Sequence, residues 1–234
     1  MKKRLALITT SAALIASSAV HAENQWGLTP YVGADIQSRH MNWGKNLGDN
    51  LFAHHAMQGN IYFGVKFSEY FGVEGGYESS AKKTRTVTAS PGDVLTGTPL
   101  PGASLNQFSM TSRISGPHIS AVGSVSLSDL HRLKLSGLVG IASLKSSLSR
   151  QKIGSTTFGV FAPFPGTPVP FVKRKNVLRL GAALEHMLTD TWGVRGSVIW
   201  ENTNKLKSYA QNGFSGVAQA KNSFACGLGA FISF

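Results

Sequence analysis

Residues Leu178–Asn202 read LRLGAALEHMLTDTWGVRGSVIWEN, and their spacing decides what kind of chain this is. On the first arm Leu178, Leu180, Ala182 and Leu184 alternate with Arg179, Gly181 and Glu185. On the second, Val194, Val198 and Trp200 alternate with Arg195, Ser197 and Glu201. A period of two sends successive side chains to opposite faces of a strand. Between the arms, Leu188–Trp192 (LTDTW) has the composition of a tight turn. The stretch therefore predicts two antiparallel strands, each with one apolar and one charged face.

Moving outward, the same pattern recurs. Toward the C-terminus, Cys226, Leu228, Ala230, Ile232 and Phe234 form an apolar file interleaved with Gly227, Gly229, Phe231 and Ser233. Toward the N-terminus it appears in RLKLSGLVGIA (132–142), HISAVGSVSL (118–127), FGVEGGYES (71–79), NIYFGVKF (60–67) and LTPYVGADIQSR (28–39). Eight segments of about ten alternating residues, separated by turns, are the signature of a transmembrane β-barrel. No apolar face carries a charge, as lipid contact requires, since a cation there costs about 2–4 kcal/mol. The opposite faces carry Asp35, Glu74, Glu78, Glu185 and Glu201 against Arg39, Lys66, Lys134, Arg179 and Arg195. A water-soluble sandwich or lipocalin-like barrel fits the periodicity as well. It does not account for a Gly-rich polar face with balanced charge, or for the aromatic terminus.

Connections also alternate in length. Tight turns join segments two and three, four and five, and six and seven. Long connections at roughly 40–57, 79–113, 144–175 and 202–222 join the others. Short turns on one side and long loops on the other are the layout of an outer-membrane barrel. Trp26, Tyr70, Phe71, Trp192 and Phe234 are expected to form an aromatic girdle at the short-turn rim. The expected fold is all-β: an eight-stranded antiparallel up-and-down transmembrane barrel with short periplasmic turns and long extracellular loops.

The first residues fit this location. Residues 1–22 have a cationic start, an apolar stretch and a small-residue cleavage site, the layout of a Sec signal peptide cut after Ala22. The barrel domain is then 23–234. Three of the 23 Lys and Arg lie in the leader, leaving 20 against 11 Asp and Glu. The single Cys226 permits no intramolecular disulfide, and it reads as an apolar filler.

Leu178–Asn202 and the terminal GLGAFISF (Gly227–Phe234) together resemble the small OmpA/OmpX-like eight-stranded outer-membrane barrels. The resemblance spans essentially the whole of 23–234. It implies that Phe234 is the assembly signal read by the outer-membrane insertion machinery. Ile232 stands where that signal often has an aromatic, and the resemblance does not imply cell-wall anchoring of the full-length OmpA kind.

An eight-stranded barrel has room inside only for its own side chains. The ten balanced charges are therefore expected to pair as a lumen ionic network; a narrow pore gated by partner exchange is the functional alternative. The long connections are strongly basic, with Lys82, Lys83, Arg85, Lys173, Arg174 and Lys175 among them, and hold only Asp49 and Asp93 as acids. That excess predicts contact with lipopolysaccharide phosphates, or with an anionic host glycan. The aromatic-rich FAPFPGTPVPF (161–171) in the third connection is compatible with leaflet, barrel-mouth or partner contact. The function expected is envelope integrity and surface interaction, with outer-membrane lipid as the constant partner and nucleic acid excluded by export.

Enzyme readings are thinner. His118-Ile119-Ser120 has a spacing similar to the His-x-Ser of lipid A deacylases, but both side chains phase inward and no acid stands near. His40, His54 and His55 read as solvated loop histidines without tight metal-ligand spacing. No phosphate-binding or dinucleotide motif occurs, so no cofactor is expected.

Overall fold

In the computed structural model the described residues are 27–43, 54–89, 105–128, 132–157, 160–163, 166, 168–204, 207–209 and 217–234. The proposed leader, Trp26 and the acids Asp49 and Asp93 lie outside them.

Eight strands close a ring: β1 (Thr29–Trp43), β2 (His55–Lys66), β3 (Phe71–Ser80), β5 (Leu105–Ser128), β6 (Leu133–Thr157), β8 (Val169–Met187), β9 (Trp192–Glu201) and β11 (Val217–Ser233). Neighbours in chain order pair antiparallel, and β11 returns to β1 with Ile36 opposite Leu228. Three short strands sit on the ring: β4 (Lys83–Ala89) on β5, β7 (Val160–Pro163) on β6 and β10 (Lys207–Tyr209) on β11. The three tight turns fall where alternation stops. Ser68 Oγ accepts from the Phe71 amide (3.1 Å), and Thr189 Oγ1 accepts from the Trp192 amide (2.9 Å). Side-chain oxygens of this kind close a turn on its own backbone. At the seam, the Phe234 amide donates to Pro30 O (3.0 Å) and the Ser233 amide to Thr191 O (2.8 Å).

The ring is inside out relative to a water-soluble protein. Ile36, Ile61, Phe63, Ile119, Val139, Val198 and Leu228 are exposed, the last at 76 %, while Asp35, Arg39, Glu74, Glu78, Arg179, Glu185, Arg195 and Glu201 are buried. Such a belt is stable only against hydrocarbon. Cys226 lies on it. Tyr70, Phe71 and Trp192 stand exposed at the short-turn rim.

Much of what the sequence assigns to long loops is strand. β5, β6 and β8 run 24, 25 and 19 residues, far beyond the bilayer, and with β4 they raise a sheet on one side of the barrel. Segments 83–89, 105–113, 144–157 and 169–175 are thereby corrected from connection to strand; 40–43, 55–57 and 217–222 are strand as well, so His40 and His55, expected in a loop, stand on β1 and β2. The reason is an inversion of polarity. Within the membrane the inner face is polar, as at His118, Ser120, Ser136 and Arg179. Above it the same inner face gains buried apolar side chains, Phe108, Met110, Ile114, Leu144, Leu148 and Val177, among a few serines and with cations on its exposed parts. The outer face changes from Ile119 and Ile141 to Arg113 and Lys145. A segment that swaps its faces midway loses the lipid-facing signature while keeping its backbone alternation.

Leu228 sits at mid-belt, so Leu228→Arg should lower folding stability in bilayers by about 2–4 kcal/mol. Urea titration of folding into lipid vesicles checks this. Unchanged stability would mean that this face does not meet hydrocarbon.

Candidate functional site

The lumen is built in layers. At the short-turn mouth, Lys66 Nζ meets Glu185 Oε2 at 3.2 Å, and Lys134 lies opposite Glu185 in register. These three line a cavity of about 320 Å³ together with Glu69 and Met187. Above it, Tyr31, Tyr62 and Phe231 pack edge-to-face, at 6.3 and 6.4 Å between ring centroids. Their seating is a cross-strand exchange: Tyr31 lies opposite Gly64 and Tyr62 opposite Gly33. A Cβ on either glycine would fall inside the facing ring. Both glycines give up their side-chain volume so that two rings fit a narrow lumen.

The next layer pairs Glu74 with Arg195. Tyr31 Oη donates to the same carboxylate at 3.2 Å, and the guanidinium lies 4.7 Å over the Tyr62 ring. Asp35 then accepts from Gln37 and Asn60, each at 3.2 Å, and Gln58 donates to Gln37. His118 Nε2 and Asn60 Oδ1 are 2.9 Å apart.

Four residues form the uppermost charged layer. Arg39 bonds Glu78 and Glu201 (2.8 Å to the latter), while Arg179 bonds Glu78 (2.6 Å) and Glu201 (3.0 Å). Signs alternate around this square, and every member is 1 % exposed. Ser223 Oγ donates to Glu201 as well, at 2.8 Å. From the aromatic layer to the square the inward-facing charged and aromatic side chains are buried. Of the charges singled out from the sequence, all but two sit in ion pairs of the inner layers or the mouth. The two are Asp35, which is held by amides, and Lys134, which lines the mouth. Gln37, Asn60 and Tyr62, which the alternation phases to the charged face, join these charges in the lumen; Tyr31 and Gln58 are lumen residues the sequence reading did not place, and cross-strand Tyr–Gly pairing would have been the cue for Tyr31.

His118 and Ser120 both face this interior, and Ser120 Oγ makes no hydrogen bond among the described residues. The two are not joined as a nucleophile–base pair and point away from the lipid side, where an acyl chain would lie.

The basic residues gather elsewhere. The raised sheet (81–89, 105–117, 143–157 and 169–176) contains Lys82, Lys83, Arg85, Arg113, Lys145, Arg150, Lys152, Lys173, Arg174 and Lys175, and no Asp or Glu. Lys145 on β6 lies directly opposite Arg174 on β8, and neither is buried. Arg113 on β5 is diagonal to Lys145, because Ser115 pairs with Lys145 and Arg113 with Ser147. Its guanidinium donates to Ser79 Oγ at 2.7 Å. These three share the outer face with Ile119, Ile141 and Leu178 below. Lys83, Arg85, Lys173 and Lys175 phase to the opposite face. Phe158 and Phe164 of the third connection lie outside the described residues, as do the side chains of Phe161 and Phe171.

The sequence matches no protein-family model and no curated protein. The fold is similar to that of the outer membrane protein OprG from Pseudomonas aeruginosa, with a TM-score of 0.52 at 8 % identity over 88 % of this chain and 95 % of that one. A major outer membrane protein from Thermus thermophilus matches with a TM-score of 0.48 at 13 % identity, covering 87 % of this chain and 99 % of that one. The attachment invasion locus protein Ail of Yersinia pestis, in complex with the heparin analogue sucrose octasulfate, gives 0.41 at 14 % identity over 88 % and 97 %. At these identities the likeness is one of fold: the chain has the architecture of small bacterial outer-membrane β-barrels.

Replacing Glu78 by Ala removes a carboxylate from two buried guanidiniums and leaves Glu201 alone to neutralise both. Loss of one partner in a buried pair costs about 3–5 kcal/mol. The urea midpoint of the refolded barrel should therefore fall substantially, while bilayer conductance stays closed behind the aromatic layer. A midpoint equal to the parent's would show that the square does not hold the barrel together.

Proposed function

We propose that this protein is an outer-membrane surface protein whose raised basic sheet binds phosphate or sulfate polyanions, in the first place the lipopolysaccharide of its own leaflet. One observation carries this reading: Lys145 faces Arg174 across a strand pair, with Arg113 on the diagonal and no carboxylate in the raised sheet. Like charges directly opposite destabilise a sheet. An anion bridging them turns that cost into charge-assisted hydrogen bonds.

Height supports the lipid as the first source of that anion. Lys145 and Arg174 each lie four residues above a lipid-facing side chain, Ile141 and Leu178. For strands tilted as in such barrels this is about 10 Å, which carries the pair out of the hydrocarbon and to the level of the headgroup region. The cations on the opposite face, Lys83, Arg85, Lys173 and Lys175, extend the same chemistry to a sulfated glycan approaching from outside. Both contacts serve envelope integrity and surface interaction, and neither requires an open pore or a reacting group. Phe234, hydrogen-bonded at the barrel seam, is proposed as the residue read during assembly.

The test is binding of the refolded barrel to intact lipopolysaccharide, to its dephosphorylated form and to a heparin-like polysaccharide across a salt series. Arg113→Gln/Lys145→Gln/Arg174→Gln should lose on the order of tenfold in affinity for the phosphorylated lipid, since a hydrogen bond to a charged group contributes about 1.5–3 kcal/mol. The salt dependence should weaken with it. Equal binding by parent and variant to all three would remove the row from any such role.

A further inference from the structure

The outer end of the β1–β2 pair holds a second feature, unrelated to the cationic sheet. His40 and His55 are directly opposed in the register, on the outward face and four residues above Ile36. Their rings are 4.5 Å apart between centroids, with His40 Nδ1 3.2 Å from His55 Nε2. His54 also stacks on His40, at 5.9 Å between centroids and 20° between planes.

We propose that His40 and His55 form a two-imidazole site for a divalent transition ion, Zn²⁺ or Cu²⁺, facing the external medium. The nitrogen separation is the decisive geometry. Two Zn–N bonds of about 2.0–2.1 Å meeting at a tetrahedral angle place their nitrogens roughly 3.3–3.4 Å apart. The pair therefore stands at ligand spacing without movement of the backbone. Imidazole nitrogens select borderline ions such as Zn²⁺ and Cu²⁺ over Ca²⁺ and Mg²⁺, which prefer oxygen.

Rigidity adds to the case. β1 is hydrogen-bonded on both edges, to β2 and β11, so the backbone under His40 is held by two ladders. His54 Nδ1 lies 3.2 Å from Met41 O. A carbonyl only accepts, so in that contact Nδ1 is the donor, and the bond ties the His54 ring to the β1 backbone beside His40. Among the described residues no group of three or more His, Cys, Asp or Glu side chains is gathered for a metal, so the site is a pair completed by solvent ligands.

The experiment uses tag-free, refolded barrel in micelles near neutral pH. Zn²⁺ binding is followed by calorimetry, and Cu²⁺ binding by electron paramagnetic resonance. Heat-modifiable gel mobility confirms that each variant is folded. The parent is expected to take up one ion with hyperfine structure from two nitrogens. His40→Ala and His55→Ala should each weaken binding at least tenfold, and His186→Ala, on another strand, should bind as the parent does. The proposal is overturned if the parent binds neither ion, or if the folded double variant His40→Ala/His55→Ala keeps the parent's affinity and spectrum. In either case the two imidazoles are a hydrogen-bonded pair only.

Discussion

The square of Arg39, Glu78, Arg179 and Glu201 is the interaction on which the rest of the barrel depends. Backbone ladders decide which strand lies beside which, but they say nothing about what faces what across the lumen. The square supplies that information, because its members come from β1, β3, β8 and β9. Each ion taken from water costs several kcal/mol even after relaxation. Only alternation of sign, with every carboxylate touching both guanidiniums, offsets that cost. The arrangement specifies one closed ring in one register, since a slip of one residue would send each charge into lipid.

Lipid outside and scarce space inside are two sides of the same constraint. With the outer face given over to hydrocarbon, the charged groups pair with one another in the lumen, and bulky groups there must be matched by absences. Tyr31 over Gly64 and Tyr62 over Gly33 are that matching. The rings then serve the layer above, through the Tyr31 hydroxyl on Glu74 and the Arg195 guanidinium over Tyr62. Ring packing and charge pairing are therefore one structure, in which the aromatic layer also orients the Glu74–Arg195 pair.

This economy explains what was legible in the sequence. Within the bilayer each strand has one permitted chemistry per face, so Leu178–Glu185 and Val194–Glu201 disclose their phase directly. The turns are equally plain, because Ser68 and Thr189 close them locally. Which charge meets which could not be read, since the partners in the square lie 22 to 162 positions apart. The raised sheet was hidden for a different reason. Leu144 and Leu148 point inward while Lys145 and Ser147 point outward, the reverse of Ile141 and Ser136 beneath them. A reading keyed to lipid contact stops where lipid stops, and it assigns the remainder to loops. The histidines were obscured in the same way, because His40 and His55 are 15 positions apart and become neighbours only once the β1–β2 register is set.

Above the bilayer the constraints on the outer rim change. There the ladder still holds side chains in fixed positions, but membrane selection no longer forbids charge. Lys145 opposite Arg174, and His40 opposite His55, are both cross-strand pairs at about the same height above the apolar belt, on opposite flanks of the ring. Neither pair is self-sufficient. Two cations in register have no ion-pair partner among the described residues, and two imidazoles in register can share one proton between facing nitrogens or one metal ion. A sheet tolerates such pairs at a cost of about 0.2–1 kcal/mol each, small beside the several kcal/mol committed to each buried charge in the square. The rigid, over-determined interior is what allows the rim to keep residues that are satisfied only by something from outside the chain.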